Sequence, residues 1–383
     1  MATLMELGRV FLTLGATSFG GPAAHVANME RELVRKRGWL TEQRFLDLLG
    51  VANLVPGPSS TELAIHIGLQ RGGWPGLVVA GAAFILPAMI STGVFAWMYV
   101  TWGAVPATAA VLYGVKPVVL AIVGKAIAGL TPRAARTWTL RALGAVALVA
   151  AALGSDELVI LLGAGLLAAA LAAAPRAGSA ATYPTDLPPW SAPGPVATVA
   201  GGAAIVSSTS GIVTLPALFG VFLKIGSVLY GSGYVLVAFL RSELVERRGW
   251  LTEAQLLDSV AVGQLTPGPV FSTATFVGYV LGGAPGAVAA TIGIFLPAFV
   301  FVALSGRLVE RMRASPRATA FLDGVNVASI ALMAWVCVQL GGAAIPDPFA
   351  AALGLVSLAV LLRTSLNPVW LVVTGAALGW AVR

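Results

Sequence analysis

Apolar residues fill long runs from one end of this chain to the other, and the polar residues gather in the short stretches between them. At 1.5 Å per residue, a helix needs about 20 residues to cross the core of a bilayer. Runs at roughly 7–28, 75–100, 106–130, 139–154 and 156–174 meet or approach that length in the first half. Runs at roughly 217–239, 284–304, 318–340, 346–362 and 367–382 do so in the second. The pattern predicts an all-α polytopic membrane protein with about ten transmembrane helices.

Two segments depart from the pattern. Residues 44–70 contain Pro56-Gly57-Pro58, and residues 255–281 contain Pro267-Gly268-Pro269. Proline lacks an N–H and disfavours helix in the residue before it, so each segment divides into pieces of about 11 residues, enough for half a membrane. They read as two re-entrant helical hairpins with tips near the midplane. Non-helical backbone is tolerated at that depth only where protein or a water-filled cavity satisfies it, and paired interruptions in two halves point to a transport site.

The two breaks belong to a duplication. Residues 11–58 match residues 222–269 at an offset of 211: Gly15, Gly20, Glu32, Gly38-Trp39-Leu40-Thr41 and Asp47 fall on Gly226, Gly231, Glu243, Gly249-Trp250-Leu251-Thr252 and Asp258. One deleted residue then changes the offset to 210, and Gly68, Leu86-Pro87-Ala88 and Gly114 fall on Gly278, Leu296-Pro297-Ala298 and Gly324. Chance does not produce this. The chain divides into a first transmembrane repeat at 1–174, a Pro-rich linker with a weakly apolar segment at 175–213, and a second repeat at 214–383. Five crossings per half is an odd number, so the second half is expected to enter the membrane inverted unless residues 196–213 also cross.

Composition supports the membrane reading. Of 383 residues, 58% are hydrophobic and 10% are charged, far from soluble globular composition. The net charge of +7 comes from Lys and Arg in short loops, which sets topology and argues against nucleic acid as a partner. In the first half Arg31, Arg35, Lys36, Arg37, Arg44, Arg71, Arg133, Arg136, Arg141 and Arg176 fall on one side, the expected cytoplasmic one. In the second, the charge moves to the opposite loops at Arg307, Arg311, Arg313 and Arg317, although Arg241, Arg247 and Arg248 then lie outside. The first run lacks a basic leader and a clear cleavage site, so it is not read as a removed signal peptide. Cys337 is the only cysteine and reads as a small apolar residue within a span.

Candidate chemistry collects at the breaks. A helix that starts at the midplane offers backbone N–H groups and a partial positive charge to an anion, which brings in Gly57 and Gly268. Ser59, Ser60 and Thr61 follow the first break; Thr266, Ser272 and Thr273 flank the second, where hydroxyls either cap the helix or donate to an oxyanion. Asn53 and Gln264 are equivalent amides on the incoming half-helices. Lys116 lies deep in the 106–130 run with Asn326 as its repeat counterpart, and it is either an anion-attracting charge or half of an ion pair with Glu62. Glu62 and His66, four residues apart on one helix face, and His25 beside Gly20-Gly21-Pro22 are candidates to couple transport to a proton. Arg37 to Thr41 and its copy Arg248 to Thr252 read as anchors: a basic helix end, a glycine stop, an interfacial tryptophan and an N-cap. Nothing in the sequence has metal-ligand spacing or a convergent catalytic cluster, so an enzyme is not expected, and no cofactor is implied.

Thr17-Ser-Phe-Gly-Gly-Pro22, Arg37-Gly-Trp-Leu-Thr41, Leu54-Val-Pro-Gly-Pro-Ser-Ser-Thr-Glu62 and the duplicated Gly-Trp-Leu-Thr and Thr-Pro-Gly-Pro resemble the chromate ion transporter family, in its two-domain, long-chain type. The resemblance covers both halves. It implies a multi-pass protein of a bacterial or archaeal inner membrane that exports chromate and confers resistance to it. Chromate is a tetrahedral dianion like sulfate, so both are implied cargo. A secondary active antiporter-like carrier is the leading reading, with a passive anion channel or a sulfate-type uptake carrier as the alternative; a homodimer in the lipid bilayer is compatible with either.

Overall fold

The helices begin where short polar residues cap them. Thr3, Thr137, Thr214, Ser315 and Asp347 each accept a hydrogen bond from an N–H in the first turn that follows, and Thr252 forms a full capping box with Gln255. The computed structural model describes residues 3–19, 22–52, 56–102, 106–173, 213–229, 235–313, 315–364 and 366–383. The linker, the segment 196–212, Tyr230 to Tyr234 and Asn53 lie outside the described residues.

All regular structure among the described residues is helical. The first half contains α1 Leu4–Thr17, α2 Pro22–Met29 running into a π-helical turn Glu30–Lys36, α3 Glu42–Ala52, α4 Ser59–Trp102, α5 Pro106–Ala134, α6 Trp138–Ala152 and α7 Glu157–Ala173. The second contains α8 Leu215–Val228, α9 Leu236–Leu240 running into a π turn Arg241–Glu246, α10 Glu253–Leu265, α11 Thr273–Arg313, α12 Pro316–Ala344, α13 Pro348–Arg363 and α14 Pro368–Val382. α4 and α11 are each two helices joined at a kink, at Gly73 and Gly283, both with φ of 62°. That is the left-handed region glycine tolerates, and Pro75 and Pro285 then restart the helix.

The runs at 7–28 and 217–239, expected as single helices, are not continuous. Each is broken near its middle, between α1 and α2 and between α8 and α9. The first turns back on itself: Arg37 Nη1 lies 3.6 Å from Glu6 Oε1, and Met29 and Leu33 share a core with Leu7, Phe11 and Leu14. A straight helix would hold residues 6 and 37 about 45 Å apart. The sequence reason for the division is Gly20-Gly21-Pro22, two poor helix formers and a missing donor in succession.

Among the described residues, four helices are long and apolar enough to cross a membrane, Ser59–Trp102, Ala109–Ala134, Val270–Leu304 and Pro316–Ala344, and five shorter apolar helices accompany them. α1 packs on α4, α8 on α11, and α12 holds α5, α6 and α7 together. In lipid the hydrophobic effect does little to hold helices together, so close packing of small residues carries the association. Gly114 of α5 shows this against Gly375 and Gly379 of α14, where a methyl group would fall 1.9 Å from the Gly375 carbonyl oxygen.

Large apolar side chains point outward, among them Val78, Ile90, Leu162, Leu166, Leu355 and Val356. Exposed Trp74, Trp102, Trp138, Trp370 and Trp380 stand near helix ends, where amphipathic rings meet a headgroup layer. In the two copies of the Gly-Trp-Leu-Thr stretch, Arg37 and Arg71 both lie over the Trp39 ring, and Arg248 lies over Trp250.

α4 and α11 cross at the centre and run antiparallel. Leu77, early in the second segment of α4, shares a cluster with Val302, late in α11, while Gly81 faces Phe299. The first hairpin, α3 with residues 59–72, lies against the start of the second segment of α4 through Ile65 and Leu69. The second hairpin, α10 with residues 273–282, lies against the other end, where Val262 and Phe276 enclose Ala96. The two hairpins thus enter the bundle from opposite ends.

Candidate functional site

Four helix breaks meet in the interior. The N–H of Gly57 donates to the carbonyl of Leu229 at 2.8 Å, and the N–H of Gly268 donates to the carbonyl of Ser18 at 2.9 Å. Both donors and both acceptors are related by the repeat offset of 211. Each Pro-Gly-Pro tip is therefore tied to the break that ends α1 or α8 in the other half. Buried N–H groups need partners, and here the glycine donors expected to face an anion are already engaged with protein. At the start of α4 the N–H groups of Thr61 and Glu62 also turn inward, to the Pro58 carbonyl at 2.8 and 3.0 Å. Those of Ser59 and Ser60 are the ones a helix start leaves over.

Around the first tip stands a buried polar group. His25 Nδ1 is 3.1 Å from Ser60 Oγ, and its ring meets Phe84 edge-on. Glu62 is completely buried, and neither of its carboxyl oxygens has a hydrogen-bond partner among the described residues. A Cβ on Gly57 would come within 2.5 Å of Glu62 Oε1, so this carboxyl is folded back beneath the tip. Thr61 Oγ1, His25 Nε2 and His66 Nε2 are likewise buried and unpaired.

The second tip is built from hydroxyls. Thr92 Oγ1 donates toward Thr266 Oγ1 at 3.1 Å and lies 3.3 Å from Ser272 Oγ, all three buried. Thr92 sits in the middle of an apolar run, so the linear pattern gave no reason to single it out. Thr273 donates to the Val270 carbonyl at 2.8 Å, a capping contact that turns its hydroxyl away from the group. Gln264 places a buried, unpaired Nε2 near the end of α10.

Lys116 is not paired with Glu62. Its ammonium lies 3.2 Å from Asp258 Oδ1 on α10, and Asp258 Oδ2 accepts from the Tyr99 hydroxyl at 3.0 Å. Asp258 was read only as a repeat position; its partner comes from the other half of the chain. Asn326 lies on α12 between Val325, which faces Gly165 of α7, and Val327, which faces Gly144 of α6. That places it where α12 packs against α6 and α7.

An all-helical bundle with exposed apolar walls, interior helix breaks and buried polar groups at those breaks defines a multi-pass membrane transport protein. The family described as "Chromate transporter" matches this chain twice, over residues 5–169 and 216–380, and the chain belongs to that family. A "Chromate transport protein" of Cupriavidus metallidurans is 32% identical over 98% of this chain and 92% of its own length. A "Probable chromate transport protein" of Synechococcus elongatus is 31% identical over 93% of this chain and 89% of its own, and one of Pseudomonas aeruginosa named "Chromate transport protein" is 33% identical over 86% and 79%. No solved structure matches it. Family membership supports chromate transport as the function.

Proposed function

We propose that the protein is a secondary active transporter that exports chromate, or a sulfate-like tetrahedral oxyanion, across the cytoplasmic membrane, holding the anion between the two Pro-Gly-Pro tips. The observation that carries this reading is the reciprocal bonding of the tips, in which each Pro-Gly-Pro break is joined to the break that ends α1 or α8 in the other repeat. Thr92, Thr266, Ser272 and Gln264 offer donors at the second tip; Ser59, Ser60 and Thr61 offer them at the first. Asn53 belongs to this set by its position in the sequence. Hydroxyl and amide donors suit a dianion that must leave again, because they bind it without the deep electrostatic trap of a bare cation.

Glu62, with His25 and His66 nearby, is assigned the coupling proton. A carboxylate without a partner in such a place costs several kcal/mol, a cost removed by a proton and restored when the proton leaves. In the bilayer, the antiparallel run of α4 and α11 favours an inverted repeat, with the first hairpin entering from the cytoplasmic side that the Arg31 to Arg141 loops mark. Alternating access then moves one half against the other.

The test is flux in proteoliposomes. Uphill chromate movement driven by a pH gradient, competed by sulfate, supports the carrier. Equilibration without accumulation, insensitive to the gradient, would instead make the protein a passive anion channel.

A further inference from the structure

A cavity of about 300 Å³ opens between α4, α5, α10, α12 and α14, lined by Tyr99, Tyr113, Lys116, Asp258 and Arg383. Each of its two lining cations is held by a carboxylate. Lys116 contacts Asp258 at 3.2 Å, while Arg383 lies 3.8 Å from Asp347 and stacks over the Tyr113 ring at 3.9 Å. The floor is Tyr99, which donates to Asp258 and rests its ring against Phe276 at 5.2 Å between centroids. Below it, Ala96, Val262 and Phe276 form a small, fully packed apolar cluster.

Thr92 is seven residues before Tyr99 on α4, and Thr266 is eight after Asp258 on α10, so the hydroxyls of the second tip lie about 10 to 12 Å beyond the cavity floor. The apolar cluster stands between the two. We propose that this cavity is an oxyanion vestibule, and that the Tyr99–Asp258–Lys116 contact, seated on Ala96, Val262 and Phe276, is the gate between it and the second tip. The proposal rests on the transport reading above and extends it to an access route.

The chemistry supplies the switching term. A tetrahedral dianion beside Lys116 competes with Asp258 for the same ammonium and also repels the Asp258 carboxylate. Both effects loosen α10 from α5, and a ligand shifts a conformational equilibrium only through such a difference in affinity between two states. The latch belongs to one side only. The repeat counterparts of Lys116 and Tyr99 are Asn326 and Val309, which cannot form the pair, and the counterpart of Phe276 is His66.

Thiol labelling tests the gate without relying on flux. In a C337A background, the T266C protein in liposomes is treated with a membrane-impermeant maleimide from each face, and the A109C protein reports which face the cavity opens to. With the gate intact, T266C is expected to label slowly from both faces. Y99F, which keeps the ring and removes the hydroxyl, and F276A, which opens the plug, are each expected to raise the rate about tenfold from the cavity face alone, and sulfate is expected to raise it in the gate-intact protein. Monodisperse elution of each variant guards against misfolding. Gated labelling supports the vestibule even in a preparation without net flux. Unchanged labelling in Y99F and F276A, or acceleration from the opposite face, overturns it even where flux is normal.

Discussion

The Thr92 hydroxyl reaches Thr266, 174 positions away, at 3.1 Å, and so joins a helix of the first repeat to the tip of the second. Thr92→Val keeps the shape and removes both hydrogen bonds. The expected cost is about 0.5–1.5 kcal/mol of stability per bond, alongside a loss of oxyanion flux larger than the stability change accounts for. Melting in detergent and flux in liposomes, measured on one preparation, check this; wild-type flux would remove Thr92 from the anion path.

Gly57 and Gly268 have φ of 138° and 94°, and a Cβ on either meets a neighbour, Glu62 Oε1 at 2.5 Å or Ala88 Cβ at 2.8 Å. Replacement of either by Ala is expected to cost about 1–3 kcal/mol from backbone strain alone. Both should lower the melting temperature, and a neutral result at one position would show that its tip is free to rebuild.

Glu62→Gln keeps the volume of the side chain and removes its titration. The variant is expected to accumulate normally in membranes, to bind sulfate competitively, and to lose uphill chromate transport under a pH gradient while downhill exchange persists. Retention of gradient-driven accumulation would place coupling elsewhere.

Outside the spans, the Ala350 N–H and the Tyr113 hydroxyl hold the Asp347 carboxyl below its ordinary value of 3.8. A depressed folded-state value adds stability that is present above 3.8 and is lost as pH falls through the lowered folded value. Tyr113→Phe should therefore melt earlier than wild type at neutral pH, and the difference should close in acid. A gap that stays constant with pH would assign the effect to packing against Phe349.

The duplication and the paired breaks were legible because identity at a fixed offset is a one-dimensional signal. The division of 7–28 was less so: Gly20-Gly21-Pro22 weakens a helix, yet an apolar run of that length satisfies a membrane-spanning criterion whether or not it turns back. Lys116 stood out as a deep charge, but its partner did not, since Asp258 lies 142 positions away and is matched in the repeat by Asp47. Thr92 was hidden for the opposite reason. A hydroxyl in an apolar helix gains meaning only from what faces it, and Thr266 faces Thr92 across the join of the two repeats.

The bonds from Gly57 to Leu229 and from Gly268 to Ser18 bear on how the molecule is assembled. Each half supplies the acceptor for the other's tip, so neither fragment has a complete interior by itself. Residues 1–174 and 214–383, produced as separate chains, should each be degraded when made alone and recovered as one complex when made together. The repeats would then behave as two subunits of a heterodimer that happen to share a single polypeptide.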